Sequence, residues 1–426
     1  MNIFHAVSTR PAIQWLIRGA LLLNLSLGLS YVGLWVMLAQ QDLFWRADFS
    51  AYYTGWAIAR DGLGAQLYDF NLQADYQQRI LEGRSFSDGL LPYLNPPYAT
   101  LPFIPLSLLP LKSAFWVWSL LQLLLLAWLL RLLLQIAHNW KPHERWLMVS
   151  AVAAFPPLFF TLQLGSFSLI LLLSMLHYYL ALKRGHDNAA GWWWLLGTIK
   201  PQVMLLPGLL LLSARRWRTL GIISLGGGLA MALSSLILGW QSWGGFVRAL
   251  QTVNTFYGIF GIVPTTTYNL KGTLALIMGN AQGALINQIS LGALALAALL
   301  TLWIWRGPWG SNEALFELRL GLTIMLGLLV SPHLHRQDGV LFIVPALLFY
   351  SYLRQQALPQ RTFAVWALSC PIIVLVAEFT LDGSLGIRAP VAMMLLLTVW
   401  MGRALITERR RTTQSLDTPS EPLRSR

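Results

Sequence analysis

The sequence predicts an all-α, polytopic integral membrane protein, and three observations carry that prediction. Of 426 residues, 56% are hydrophobic and only 11% are charged, with a mean hydropathy of +0.57. Apolar runs close to one bilayer crossing in length recur along the chain, and lipid leaves only helices able to satisfy their own backbone. Lys and Arg fall between those runs, in the alternation that cytoplasmic and outer loops require. The net charge of +13 is therefore a record of topology. It is not gathered on a nucleic-acid surface, and no nucleic-acid partner is expected.

The first run, 15–38, is too long and too poor in a small-residue cleavage site for a removable signal peptide. It reads as a retained signal anchor, with the mature chain starting at Met1. Further spans are expected near 113–136, 147–162, 167–182, 219–239, 284–305, 316–331, 339–353, 363–380 and 389–406. Two stretches are irregular. Pro102, Pro105 and Pro110 follow Pro96-Pro97, so 99–111 reads as a broken or re-entrant segment. The stretch 192–212 is interrupted at Lys200-Pro201, and two half-spans meeting there keep Arg215-Arg216 on the cytoplasmic side. The total is about 10 to 13 spans. Residues 1–406 form one membrane domain, and the polar tail 407–426 is expected to be disordered and cytoplasmic, as is the N-terminus. Trp192-Trp193-Trp194 read as belt residues anchoring helix ends. Cys370 is the lone cysteine, which rules out a disulfide and a cysteine-based metal site.

The loops 40–97, 163–166, 240–272, 331–338 and 379–388 are poor in cations for their length and are expected to face outward. The first is far longer than a connector needs to be. Phe49, Tyr53 and Trp56, with Tyr52 beside them, share one face of a short helix that closes at Arg60-Asp61-Gly62. Leu72, Tyr76 and Ile80 repeat at four-residue spacing. Both segments read as outer interfacial helices with aromatic rings at headgroup level, roofing a pocket between the ends of the spans.

Asp48 opens the first of these helices, a carboxylate fixed just outside the bilayer. Such a group is suited to take a proton from a hydroxyl as it attacks a sugar carbon; N-capping the helix is the plain alternative. A departing phosphate needs positive groups placed in advance, and Lys200, His333, His335, Arg336 and Lys271 all lie in outward segments. Lys200 also has a purely interfacial reading, with its ammonium snorkelling to water. His333 and His335 are two apart, which suits a metal pair, but no cluster of carboxylates completes a site, so no metal or other cofactor is assigned. Arg336 and Asp338 equally suit a local ion pair capping the next helix. Asn269 and Lys271 suit substrate hydroxyl groups or a solvated loop, and Glu378 and Asp382 have the same two readings. Trp56 and Tyr53 are the candidates for stacking on a sugar ring.

The ordered set Asp48-Phe49 with Tyr52-Tyr53, Leu67-Tyr68-Asp69, Asn95-Pro96-Pro97, Lys200-Pro201-Gln202 before Arg215-Arg216, and Ser331-Pro332-His333 with Asp338 resembles the motifs of glycosyltransferase family 87. The resemblance covers about residues 40–345. Asn95 stands where that family has an aromatic residue, and Gly165-Ser166 where it has a Gly-Gln pair. The family belongs to the GT-C superfamily, and its named members are mannosyltransferases that use polyprenyl-phosphate-mannose. The resemblance implies a GT-C-like enzyme of a bacterial inner membrane, working on the periplasmic face. It would take mannose from a polyprenyl-phosphate donor in contact with membrane lipids and pass it to a lipid or glycan acceptor. Asp48 is then the catalytic base, Lys200, His333, His335 and Arg336 hold the donor phosphate, and Tyr52, Tyr53, Asn95, Gln202, Asn269 and Lys271 contact substrate. A transporter or flippase for lipid-linked sugars is the reading from another class. It would place charges along a path near the midplane, in matching halves that this sequence does not show.

Overall fold

The computed structural model describes residues 11–41, 43, 48–84, 90–255, 264–306, 314–355 and 388–417. The span expected at 363–380, and Arg361, Cys370, Glu378 and Asp382, lie outside these residues. Within them the protein is all-α and polytopic. Five helices are long and apolar enough to cross a bilayer alone: α1 (Pro11–Gln40), α4 (Leu111–Ile136), α10 (Trp217–Leu238), α13 (Gly283–Ile304) and the C-terminal helix Ala389–Asp417. A sixth crossing is available as a bent pair, α5 (Pro142–Ala153) and α6 (Pro156–Leu164), which meet at 46° where Pro156-Pro157 end one helix and start the next. These helices carry bare hydrocarbon outward: Leu22, Leu225, Leu236 and Leu396 are each at least 65% exposed. That surface suits lipid, not water.

Five or six crossings are thus recognisable by length and composition among the described residues, against the 10 to 13 expected, and the other helices are shorter. They include α7 (Ser168–Lys183), α8 (Asp187–Gly197), α9 (Pro201–Ser213), α14 (Ala314–Val330) and α15 (Ile343–Gln355). α7 packs along α8, and α14 packs against α9, α15 and the C-terminal helix. α7 is buried along nearly its whole length, so its apolar residues pack all round and not on one stripe. The helix break at Lys200-Pro201 and the proline-broken stretch after Pro96-Pro97 are both present, the latter as 3-10 turns over Pro97–Ala99 and Leu101–Leu108. Beyond Thr407, where disorder was expected, the last helix runs on to Asp417. Arg409 supports it there by donating to Ile304 O at 2.6 Å and lying 4.3 Å over the Trp303 ring, which caps the end of α13.

The long first loop folds as α2 (Asp48–Arg60) and α3 (Phe70–Ile80), as expected, but α2 is buried in protein and does not lie on the surface as its aromatic residues suggested. Every residue from Phe49 to Ile58 is buried. Phe49 lies edge-on to Trp56 and Phe115, and Phe167 packs against Tyr52 with ring centroids 4.2 Å apart. An aromatic residue enters protein in preference to the interface when other rings close round it, because it then buries its whole surface. Trp56, fully buried, is thereby removed from the sugar-stacking role. Of the three consecutive tryptophans, Trp192 is exposed as a belt residue should be. Trp193 stacks on His177, and Trp194 bridges two helices by donating to Met204 O at 3.0 Å.

Two glycines let α2 come this close. Gly55 lies under the Tyr93 ring, where a Cβ would stand 2.6 Å from Cγ. Gly165 ends α6 at φ +68°, and a Cβ there would stand 2.9 Å from Phe49 Cβ. Its carbonyl accepts the Trp118 indole N–H at 2.8 Å. Gly165→Ala is therefore expected to lose on the order of 2 kcal/mol, from left-handed strain and overpacking together. Thermal unfolding in detergent measures this, and a melting temperature equal to wild type would show that α2 is not held by this contact.

Candidate active site

α2, the extended strap 90–95, the α8–α9 break, α11 (Gln241–Thr255) and the loop 331–337 enclose a cavity of about 640 Å³. Its lining is of two kinds. Leu91, Pro92, Leu94, Phe246, Val247 and Leu250 are apolar. Asp48, Tyr52, Asn95, Lys200, Gln202, His333, His335, Arg336 and Gln337 are polar.

The polar lining is built on a helix break. α8 ends at Gly197 and α9 starts at Pro201, whose ring supplies the fixed φ of a first helical residue and lacks the N–H that would be orphaned there. The carbonyls left open at such a break need partners. Tyr98 Oη donates to Thr198 O at 2.7 Å and the Asn95 amide donates to Ile199 O at 3.0 Å. The segment containing Asn95 and Tyr98 thus caps the break beside Lys200, which lines the cavity. Lys200 Nζ then meets Asp338 Oδ1 at 2.6 Å. Asp338 is fully buried, and its Oδ1 also accepts Ser168 Oγ at 2.6 Å while its Oδ2 accepts the backbone N–H of His335 at 3.2 Å. Burial works against its charge, but the Lys200 ammonium, the neighbouring His335 and these hydrogen bonds hold the carboxyl below its ordinary range. The local Arg336–Asp338 pair gives way to this long-range one. Arg336 instead lies 4.3 Å over the Phe160 ring.

Asp48 stands in the first turn of α2, where the helix dipole favours a carboxylate. Its Oδ2 accepts the Gln337 amide N–H at 2.7 Å. Burial pushes its pKa up to about 6, with Lys200 opposing and Asp338 adding to the rise. At neutral pH it is ionised and close to its titration range, which is the state a general base needs. The two histidines behave differently from the charged groups foreseen. Burial first, then the cations around them, pushes His333 down to about 3 and His335 down to about 4. Both are neutral imidazoles at neutral pH, hydrogen-bonding groups and not charges. The Nδ1 of His333 is buried with no hydrogen-bond partner among the described residues.

The structure gathers eight of the eleven foreseen residues on this cavity and sets three apart from it. Tyr53 turns its hydroxyl to Leu109 O at 2.7 Å. Asn269 is fully buried: its side chain accepts the Gly272 N–H at 2.7 Å, capping α12 (Leu270–Met278), and donates to Ser331 O at 2.9 Å. It is a clasp that holds the 331–335 loop, aided by Tyr268 N donating to Leu334 O at 2.7 Å. Lys271 is buried behind the cavity beside His333, and burial lowers its pKa to about 8. Gln337 and Ser168 were missed. Gln337 had a signal in the sequence, a polar side chain between the charged Arg336 and Asp338, whereas Ser168 has no charged neighbour and left none. Among the described residues no three His, Cys, Asp or Glu side chains converge as a metal site.

One similar protein is the polyprenol-phosphate-mannose-dependent alpha-(1-2)-phosphatidylinositol pentamannoside mannosyltransferase of Mycolicibacterium smegmatis. It is 26% identical over 292 residues, which are 66% of this chain and 63% of the relative, so the match spans less than two thirds of that protein. No solved structure matches. The family model of glycosyltransferase family 87 matches residues 93–332, which include the end of the strap, the helix break and the start of the histidine loop. That is more than half of the sequence, and the chain belongs to glycosyltransferase family 87.

Proposed function

We propose that this protein is a membrane glycosyltransferase that moves a sugar from a polyprenyl-phosphate donor to a hydroxyl of a lipid or glycan acceptor, with Asp48 as general base. Mannose is the sugar suggested by the family and by the printed activity of the relative. The observation that carries this reading is the shared cavity: Asp48 and the cations Lys200 and Arg336 line one space together with the apolar Leu91, Leu94, Phe246 and Leu250. In a single displacement the acceptor oxygen attacks the anomeric carbon, and its proton passes to the Asp48 carboxylate. The bond from that carbon to the phosphate oxygen breaks, its electron pair leaves with the phosphate, and the anomeric configuration inverts. The phosphate gains one negative charge as it departs. Lys200 and Arg336 are already in place to offset it, which is electrostatic stabilisation without reorganisation. His333, His335, Tyr52, Asn95 and Gln202 supply neutral hydrogen-bonding groups around the sugar and phosphate. The apolar lining suits the start of the polyprenyl tail. The distribution of Lys and Arg supports a cavity on the outer face of a bacterial inner membrane, with both termini cytoplasmic.

Membranes carrying the protein, incubated with labelled polyprenyl-phosphate sugars one at a time, test the activity directly. Asp48→Asn is expected to reduce turnover by about 10²- to 10⁴-fold while donor affinity stays within a few-fold of wild type; full turnover in that variant would remove the proposed base. The base must be deprotonated, and protonation grows as pH falls through about 6. Accordingly, kcat/KM should drop about tenfold per unit below that pH and be flat above it. A rate that keeps rising up to pH 8 would point to another group.

Lys200 needs a paired control, because removing it strands a buried carboxylate. Lys200→Ala is expected to cost about 3–5 kcal/mol of stability. Lys200→Met combined with Asp338→Asn should recover most of that loss in a thermal melt yet remain poorly active. Wild-type turnover in the double variant would show that the ammonium serves the fold alone.

A further inference from the structure

Gln337 lines the cavity, and the displacement above gives it no task, yet its placement is tightly constrained. It is 5% exposed and lies in the 3-10 segment Arg336–Phe342. Its backbone carbonyl accepts Thr161 Oγ1 of α6 at 2.8 Å, and Gln122 of α4 braces the same threonine by donating to its carbonyl at 3.2 Å. The next residue, Asp338, is tied to Lys200 and Ser168. From this fixed turn the Gln337 amide reaches a carboxylate 289 positions away in sequence, at 2.7 Å.

On the reading that Asp48 is the base, we infer that Gln337 is its positioning residue: the amide N–H occupies Oδ2, fixes the plane of the carboxylate, and leaves Oδ1 to receive the acceptor's proton. The residue type matters as much as the distance. An arginine at this place would add a full charge and make the carboxylate a poorer proton acceptor, and a glutamate would compete with it for the same proton. An apolar side chain would leave burial to favour the protonated form. An amide is the neutral donor between these extremes. The charged and titratable groups that face Asp48 are Lys200 from the α8–α9 break, Asp338 and Arg336 from the same turn as Gln337, and Tyr52 from its own helix. Burial and Asp338 push its proton affinity up, while Lys200, Gln337 and Arg336 pull it down. Loss of the amide therefore shifts this balance toward protonation.

The test uses the full chain in lipid nanodiscs, with two readouts. Infrared titration follows the protonated carboxyl band that disappears in Asp48→Asn, and kcat/KM is measured against pH. Gln337→Met, of equal length but without an N–H, is expected to raise the infrared midpoint and the acid limb together by about one pH unit. Its rate deficit should shrink as pH rises, and its donor affinity should stay within about threefold of wild type. Gln337→Glu should raise the midpoint further, because two adjacent carboxylates share one proton. An unmoved midpoint in Gln337→Met, with a rate lowered evenly at every pH, overturns the inference; if that variant does not fold, an unmoved midpoint in Gln337→Glu overturns it. A dead Asp48→Asn beside unmoved Gln337 variants removes this inference alone, whereas a fully active Asp48→Asn removes the base itself.

Discussion

The ion pair between Lys200 and Asp338 is the contact on which the polar lining of the cavity depends. An ammonium and a carboxylate taken out of water repay their desolvation only with good geometry and further hydrogen bonds, and both conditions are met here. The 2.6 Å contact is supplemented by Ser168 and by the backbone N–H of His335. The pair fastens the α8–α9 break to the turn that follows the histidines, two segments separated by 138 residues. Without it, Asp338 would be a buried carboxylate with no cation in contact. With it, the same turn presents Arg336, Gln337 and Asp338 to three different partners.

The membrane explains why so much side-chain hydrogen bonding is devoted to backbone. A chain that breaks its helices inside a bilayer protein must find other partners for the freed carbonyls. Tyr98 and Asn95 serve the end of α8, Asn269 serves Ser331 and Pro332, and Trp118 serves Gly165. Asn95 illustrates the economy of this arrangement, since it lines the cavity and caps the break at once. Many polar residues of the loops thus bond to backbone, while Asp48, Lys200 and Arg336 line the cavity.

Much of the fold was legible because hydrocarbon thickness is a strict ruler and prolines are strict punctuation. The long spans and the break at Lys200-Pro201 leave marks of that kind, whereas 147–162 was expected as one span and is bent at Pro156-Pro157. Depth was harder to read. The α2 ring face is equally compatible with headgroups and with other aromatic residues, and only the positions of Phe115, Trp118 and Phe167 decide between them. Partnership between distant segments was out of reach for the same reason. Arg336 and Asp338 are neighbours in sequence, and nothing local reveals that Lys200 captures the aspartate. The histidines show a third limit: their neutral state follows from burial among cations, which composition does not record.

The strap that forms part of the apolar lining is held in an unusual way. Gln73 and Gln77, one turn apart on α3, face the extended backbone with their amides. Gln73 accepts Tyr93 N at 2.8 Å, and Gln77 accepts Leu91 N at 3.1 Å while donating to Leu91 O. A helix thereby offers the hydrogen-bonding edge that a neighbouring β-strand would otherwise provide. Since these bonds engage only main-chain atoms, they are indifferent to the side chains at 91, 92 and 94. The breadth of the apolar lining is thus free to drift under selection for a different occupant, while the carboxylate and cations of the cavity, borne by other segments, keep their geometry.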